Sequence, residues 1–265
     1  MPTFTGKAFA NFYKRIIAVN QSSNTGIGTS LATLESGDGT QSAVSLSDDQ
    51  VRIVPQNDDG VATFQIRAKG GGNILTVDTT NSLVKANNIN VTTQYAYFSA
   101  TSIDCVAGNH VMIPFQSSLG GDTADVTTEY NLGNGTDPDT TYDVSGTADS
   151  KDVVNNYMYI PDAMTVDAVH ILIGGNTAST TDDINFHLMK YDLDTSTNLG
   201  DLSNGVVVAD GSAISDVHED AIKYQSLTVD TSNNTVTAGQ IVICTIESTG
   251  TDEVSCIVTV KYHLN

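Results

Sequence analysis

The sequence predicts an all-β protein, built as an N-terminal extended arm, a short-strand, fibre-like stem and a C-terminal antiparallel β-sandwich of jelly-roll type. Three observations support this prediction. Thr, Ser, Asn, Asp and Gly are abundant, and such residues favour strands and turns over helices. Short apolar runs alternate with turn signals along most of the chain. The charge is divided unevenly, which separates a balanced N-terminal part from an acidic C-terminal part.

The acidic residues are concentrated in the second part of the chain. Residues 1–97 contain seven basic and seven acidic side chains, whereas residues 98–265 contain four basic and twenty-four acidic ones, which accounts for the whole formal charge of −20. An acidic surface repels phosphate backbones and anionic membranes, and no apolar run is long enough to span a bilayer. Binding to nucleic acid and membrane insertion are therefore not expected.

Residues 1–43 are predicted to form the extended arm. The run AFANFYKRIIAV at 8–19 concentrates basic and aromatic side chains, and the polar stretch 20–43 contains the turn signal GDGT. Neither stretch can build a core, and a segment of this kind is expected to become ordered on a partner. The expected anchoring residues are Phe12, Tyr13, Lys14 and Arg15. The alternative, that the run is simply the first strand of the chain's own fold, stays open.

Residues 44–97 are predicted to form the stem. Short strands are expected at 51–54, 63–67, 74–77, 82–85 and 89–91. Each offers only two or three apolar side chains, too few for the core of an isolated domain of about 50 residues. Strands from several chains that pair around one axis would supply the missing core, so we expect a homotrimer. The expected stem contacts are Val54, Phe64, Ile66, Ile74, Leu75, Val77, Leu83 and Val84. The alternative is a small monomeric β domain packed on the rest of the chain.

Residues 98–265 are predicted to form the acidic, jelly-roll-like head. Strands are expected at 110–116, 153–160, 166–173, 184–191, 222–229, 240–246 and 254–264, joined by loops such as 117–150 and 192–204. The last strand alternates, with Val254, Cys256, Val258, Val260, Tyr262 and Leu264 on one side, which predicts one buried and one solvated face. The runs VHILI and IVICTI are apolar on both faces and predict central strands.

Several segments carry a resemblance. NFYKRIIAVNQSSNTG, GDGTQSAVSLSDDQVRIVPQND and NILTVDTTNSLVKANN stand in the first half of the chain, and HLMKYDLDTSTNLGDLSNGVVVADGS and VTVKYHLN in the second. In this order they resemble the virion structural proteins of marine tailed bacteriophages, of the fibre, spike or head-decoration type. NILTVDTTNSLVK is also similar to short modules of phage fibres, in which a VD-T step turns one strand into the next within a trimer.

The resemblance implies a virion component, and together with the predicted stem it leads us to expect a non-enzymatic, homotrimeric fibre or spike on the virion surface. Its N-terminal arm would attach to phage capsid or tail proteins, and its head would face outwards and bind a host surface glycan or protein. Because the first residues show no long apolar segment and no small-residue cleavage site, we expect synthesis and assembly in a host cytoplasm. The alternative is a capsid decoration or cement protein that stabilises capsomer junctions and recognises nothing on the host.

The sequence offers weak signals for catalysis or cofactors, and we expect neither. The acidic pairs Asp182-Asp183 and Glu219-Asp220 stand in polar, loop-like surroundings, where no apolar pocket would raise a carboxyl pKa for glycoside hydrolysis. No nucleophile elbow, P-loop or HExxH motif occurs. Trp, the usual platform for sugar stacking, is absent. Tyr could substitute for it, but is more often structural; the candidates are Tyr130, Tyr142, Tyr157 and Tyr159.

Metal binding is not expected either. The run from Asp192 to Asn198 imitates the start of a calcium loop, but Thr197 and Ser203 stand where its Gly and bidentate Glu belong. His170 and His187 lie on strands that could be neighbours, and a metal bound by three copies of one His is conceivable, although an ordinary packed or surface His is the more common case. The three Cys residues form no CxxC pair, and those within strand-like runs are expected to behave as small hydrophobic residues.

Overall fold

The computed structural model describes residues 17–20, 26–115, 130–144, 150–178, 181–196, 200–251 and 253–265. The chain divides into two compact units, Met1–Val91 and Thr92–Asn265, and each is described by itself. Strands dominate both units, which confirms the all-β prediction. The predicted anchoring residues Phe12, Tyr13, Lys14 and Arg15 lie outside the described residues.

The first unit contains two four-stranded antiparallel sheets. The first is formed in sequence order by β1 (Ile17–Val19), β2 (Ala32–Ser36), β3 (Gln41–Leu46) and β4 (Val51–Ile53). The second is formed, again in sequence order, by β5 (Phe64–Arg67), β6 (Asn73–Asp78), β7 (Leu83–Ala86) and β8 (Ile89–Asn90). Both are simple meanders, in which each strand pairs with the next along the chain.

The second unit is a sandwich of two antiparallel sheets. The five-stranded sheet has the order β16 (Lys223–Ser226), β12 (Met164–Gly175), β20 (Glu253–Leu264) and β9 (Thr93–Asp104), with β18 (Thr235–Val236) on β12. The seven-stranded sheet has the order β10 (Val111–Ile113), β19 (Gln240–Ser248), β13 (Asp183–Leu193), β14 (Leu202–Asp210) and β17 (Thr228–Val229). In addition, β11 (Met158–Tyr159) pairs with β19, and β15 (Ile214–Ser215) pairs with β13.

The main core lies between these two sheets. Phe98, Ile171 and Val258 come from the five-stranded sheet and pack with Phe186 and Cys244 of the seven-stranded sheet, all of them fully or almost fully buried. Because this core draws on none of the described residues before Ala96, the second unit has the apolar burial it needs to fold by itself.

A second core covers the outer face of the seven-stranded sheet. Met189 and Tyr191 of β13 and Ile243 of β19 point to that face, where the segments 130–144 and 150–160 lie over them. Those segments contribute Leu132, Tyr142, Val144 and Val153. The seven-stranded sheet is therefore apolar on both faces, as the run IVICTI within β19 predicts.

Some predicted elements differ from the observed ones. The prediction of a strand over 153–160 is wrong for most of its length, because α1 (Ser150–Val153) and a 3-10 turn (Val154–Asn156) precede the two residues of β11. Part of the predicted loop 192–204 belongs to β13 and β14. None of the helical segments in the described ranges is long and apolar enough to cross a membrane.

The boundaries of the predicted segments also shift. Strand β3 crosses the boundary predicted at residue 43 and pairs with β2, so Ala32–Ser36 and Gln41–Leu46 belong to a sheet and not to an extended arm. Strand β9 crosses the boundary drawn at residue 97, because Tyr95 and Tyr97 pair with β20 inside the sandwich.

Candidate functional site

The sheet of strands β5–β8 has one face that is entirely apolar. Residues directly opposite each other in an antiparallel pair point to the same side of the sheet. The register places Phe64 opposite Val77, and Val77 opposite Val84. A second row runs across all four strands through Ile66, Leu75, Ala86 and Ile89. We call these seven side chains the stem face.

The stem face is not buried by the rest of the unit. Ile66 is 47% exposed, Val84 and Ile89 are exposed as well, and Phe64 and Leu75 are only half-buried. Among the described residues up to Val91, no apolar side chain is buried; the buried ones there are Ser45, Thr76 and Asp78. A sheet with a full apolar face and no core is an incomplete structure as a single chain.

The opposite face of the same sheet, which we call the polar face, carries Thr76, Asp78 and Lys85 together with two apolar side chains. Asp78 is buried and accepts hydrogen bonds from the backbone and side-chain nitrogens of Asn81, while Lys85 Nζ lies 3.2 Å from its Oδ2. These hydrogen bonds, first that from the side-chain amide of Asn81, lower the pKa of the Asp78 carboxyl. The Thr76 hydroxyl is buried without a hydrogen bond to any described residue.

The sheet of strands β1–β4 repeats this arrangement. Val19 stands opposite Leu34, Leu46 opposite Ala32 and Val51, and Val44 opposite Ile53, so these residues share one apolar face. None of them is buried, and Ile17 and Val51 are largely exposed. Each sheet of the first unit thus has an apolar face on which none of the described side chains is buried.

The structure brings five of the eight predicted stem residues together. Phe64, Ile66, Leu75, Val77 and Val84 lie on the stem face. Ile74 and Leu83 point to the opposite face, because each is one residue out of phase with the apolar set of its strand. Val54 follows β4 in the other sheet, where its amide donates to the Ala43 carbonyl. The sequence analysis did not single out Ala86 and Ile89, although Ile89 lay in a predicted strand.

Comparisons with known proteins give no family. No protein-family model and no curated protein matches the chain. Among solved structures, the chain is similar to a structure of the infectious bursal disease virus Gx strain, with 10% identity and a TM-score of 0.31, over 92% of this chain and 46% of that one. It is also similar to the CBM22-1–GH10 modules of Clostridium thermocellum xylanase 10B complexed with xylohexaose, with 13% identity and a TM-score of 0.24, over 64% of this chain and 26% of that one.

The chain therefore spans about half the length of the viral protein and about a quarter of the xylanase modules. At these TM-scores neither likeness carries an argument about function.

The two predicted histidines are not neighbours. His170 lies on the five-stranded sheet, where its Nδ1 is 3.0 Å from the hydroxyl oxygen of Tyr224. His187 lies on the seven-stranded sheet, buried against His110 under the segment 130–144. One is thus a surface histidine and the other a packed one. In the described part of the chain, no three His, Cys, Asp or Glu side chains are grouped so as to hold a metal ion.

In the calcium-like run, as far as it is described, Asp192 belongs to strand β13, and both aspartates accept hydrogen bonds from protein groups. Asp192 accepts hydrogen bonds from Gln240 Nε2 and Asn204 Nδ2, and these bonds, with that from Gln240 first, lower the pKa of its carboxyl. Asp194 accepts from the backbone amide and hydroxyl of Ser196. Thr197 and Asn198 lie outside the described residues.

The remaining candidates differ in their surroundings. Tyr142 is buried in the second core, Tyr157 donates its hydroxyl to the Gly200 carbonyl, and Tyr159 is exposed. Glu219 and Asp220 are exposed. Cys105, Cys244 and Cys256 are buried in the main core, as expected of Cys244 and Cys256, which lie in strand-like runs.

Proposed function

We propose that this chain is a non-enzymatic structural protein of a phage particle, a homotrimeric fibre or spike whose first unit is the stem and whose second unit is the head. Residues 1–43 would contribute the contact with capsid or tail proteins. The head would face outwards and meet the host surface. Its function is assembly and attachment, in which symmetry multiplies weak contacts into avidity.

The observation that carries this proposal is the contrast between the two units. The head buries a large core of its own, whereas the described part of the first unit buries no apolar side chain and exposes two apolar faces. Fully burying one Val, Leu, Ile or Phe side chain is worth roughly 1.5–3 kcal/mol. If the stem faces of several chains pack together, each apolar side chain of a stem face would gain a large part of this burial free energy. A partner copy therefore supplies what the single chain lacks.

The placement on a phage particle rests on the resemblance of the sequence segments. The number of chains in the oligomer, three, rests on the same resemblance. The division of charge supports the outward position of the head. The head carries the net charge of −20, which keeps separate particles apart, while the stem has a net charge of zero and can associate without repulsion.

The experiment is to measure the mass of the full-length chain and of residues 92–265 by native mass spectrometry and sedimentation. We expect the full-length chain to be a trimer and residues 92–265 to be a folded monomer. A monomeric full-length chain, or a head that stays trimeric without the first unit, would overturn the role of the stem.

Localisation on an intact virion by electron microscopy tests the second half of the proposal. A few trimers at the tail or at a vertex support a fibre or spike. Many copies spread over the shell would instead indicate a decoration protein that stabilises capsomer junctions.

A further inference from the structure

The outer face of the five-stranded sheet is apolar and open. One row across this face runs through Tyr224, Leu172, Ile257 and Ser99, as the strand registers show. The next row contains His170, Thr259 and Tyr97. Leu172 and Ile257 also line a groove of about 550 Å³ together with Ile222. We call the large apolar residues here the head face; they are Tyr95, Tyr97, Leu172, Ile222, Tyr224 and Ile257.

We infer that the head face is the surface through which the heads of neighbouring copies of this chain contact each other around the axis of the stem. This inference rests on the proposed function, because it requires that the stem has already brought the copies together. Its occupant is a second copy of the same unit. Three observations support it: the area, the charge and the comparison with the other sheet.

The area is large for a solvent-facing surface. The six residues are between 47% and 78% exposed. With roughly 150–250 Å² for each large side chain, the head face leaves on the order of 600 Å² of apolar surface open. This is at the upper end of what a monomer presents, about 300–600 Å². A stable interface between free proteins buries about 800 Å² on each partner, so the head face alone falls short of holding two separate heads together.

The charge distribution restricts the surface on which two heads can meet. Outside this face the head is strongly acidic, and two heads would repel each other through most of their surfaces. The two central rows contain no acidic residue. Acidic side chains stand only towards the ends of the sheet, where Glu253 accepts a hydrogen bond from Asn176 and Asp167 pairs with His263. An apolar centre with a polar rim is the usual anatomy of an interface.

The other sheet shows what such a pattern normally requires. Strand β19 carries apolar side chains on both faces. Its outward side chains are buried because the segments 130–144 and 150–160 cover them. The outward side of β12 carries Asp167, His170 and Leu172, and Leu172 is 47% exposed although its strand is internal in its sheet. The outer face of the seven-stranded sheet is thus covered by the chain itself, whereas Leu172 on the five-stranded sheet is left open.

Tethering by the stem makes up for the small area. Linked modules meet at an effective concentration of about millimolar, at which a contact worth only about 4 kcal/mol is already half formed. The heads are therefore expected to be monomeric when isolated at micromolar concentration and in contact when the stem joins them.

Hydroxyl-radical footprinting of side chains tests this directly. The full-length chain and residues 92–265 are oxidised in parallel, and the modification of Tyr97, Leu172 and Tyr224 is measured by mass spectrometry. We expect their modification to be roughly threefold or more lower in the full-length oligomer, since an interface excludes water. Tyr159, which is 56% exposed and lies on the other sheet, is the internal control and should not change.

A full-length variant with Ile66→Asp, made monomeric through its stem face, separates a second copy from the chain's own first unit. Protection that disappears in this monomer supports contact between copies. Protection that persists in it would mean that the first unit of the same chain covers the head face, and would overturn the inference.

Different results would overturn the contact between heads and the role of the stem in assembly. A full-length chain that is an oligomer but leaves Tyr97 and Tyr224 as reactive as in residues 92–265 would overturn the contact between heads and leave the stem proposal standing. A full-length chain that is monomeric would overturn both. Substitution of Ile257 by Asp should remove the protection without changing the oligomeric state, whereas Val154→Asp, at an equally exposed apolar site off this face, should leave it intact.

Discussion

His110 and His187 contact each other edge to face inside the head, with ring centroids 5.0 Å apart and both side chains almost completely buried. His187 Nε2 lies 3.2 Å from the Asp210 carboxylate and 3.8 Å from that of Asp137. Glu247 is a further acidic neighbour. The pair joins strands β10 and β13 to the segment 130–144, because His110 Nε2 lies 3.0 Å from the Gly135 carbonyl oxygen.

The stability of the head should fall when the pH drops below about 6.5. Burial lowers the pKa of His187, and the neighbouring Asp210 only partly compensates. The unfolded chain therefore takes up a proton near pH 6.5, whereas the native state does so only at lower pH, so stability is lost between these two pKa values. Each unit by which the pKa of His187 is lower in the native state than in the unfolded chain reduces the free energy of unfolding at low pH by about 1.4 kcal/mol.

Urea unfolding of residues 92–265 between pH 5 and pH 8 measures this effect. His187→Gln cannot take up the proton, so the variant should show a shallower loss of stability between about pH 6.5 and pH 5 than the wild type, whatever its stability at pH 8. Equal slopes for the two proteins would show that His187 is not the group responsible.

Ile66→Asp should dissociate the full-length oligomer, and Ile74→Asp should not. The two isoleucines are 47% and 53% exposed on adjacent strands, but Ile66 lies on the stem face and Ile74 on the polar face. A carboxylate buried in an apolar contact between chains costs several kcal/mol, so association should weaken roughly a hundredfold or more. Sedimentation at several concentrations measures it, and equal weakening by both variants would contradict the assignment of the stem face.

The sequence was sufficient to predict the strands whose pattern is local. Strand β20 alternates along its whole length, and the structure buries Val254, Cys256, Val258 and Val260 while their neighbours face outwards. The short strands β4 to β8 were also predicted near their observed positions, because Gly- and Asn-rich turns separate them.

What the sequence could not predict depends on contacts that are distant along the chain. The apolar residues at 153, 158 and 160 fit a strand, but a helical turn over Ser150–Val153 also places Val153 in the second core. The run IVICTI of β19 predicts burial on both faces, but the sequence does not show that the segments 130–144 and 150–160 supply the cover of its outer face. The phase of Ile74 and Leu83 relative to the stem face likewise follows from register and not from composition.

Gly205→Ala should destabilise the head by about 1–3 kcal/mol. A Cβ at this position would lie 2.8 Å from the Thr140 Cα and would overlap the ring of Tyr191. Neither can move easily, because Tyr191 is fully buried with its hydroxyl donating to the Asp139 carbonyl, and the Gly205 amide donates to the Thr140 carbonyl. Thermal and urea unfolding of residues 92–265 measure the loss.

Gly174→Ala is the matched control for this substitution. Gly174 is also a strand glycine of the head, but a Cβ there would meet no atom within 4 Å. This variant should stay within about 0.5 kcal/mol of the wild type or become slightly more stable. A similar loss for both variants would mean that the cost comes from replacing any strand glycine and not from the packing of Tyr191.

The three cysteines should resist alkylation as long as the head is folded. All are buried in the main core, and burial raises the pKa of Cys256 to about 12 and that of Cys244 well above its ordinary value. Since the thiolate is the reacting form, labelling by iodoacetamide at pH 8 should be slower than that of a free thiol by roughly a thousandfold.

A Ser255→Cys variant of residues 92–265 supplies the comparison, because Ser255 is exposed beside Cys256 on β20. Its added thiol should react at once, while Cys105, Cys244 and Cys256 react only at the rate at which the sandwich opens. Rapid native labelling of Cys244 or Cys256 would show that the two sheets separate far more readily than their packing implies.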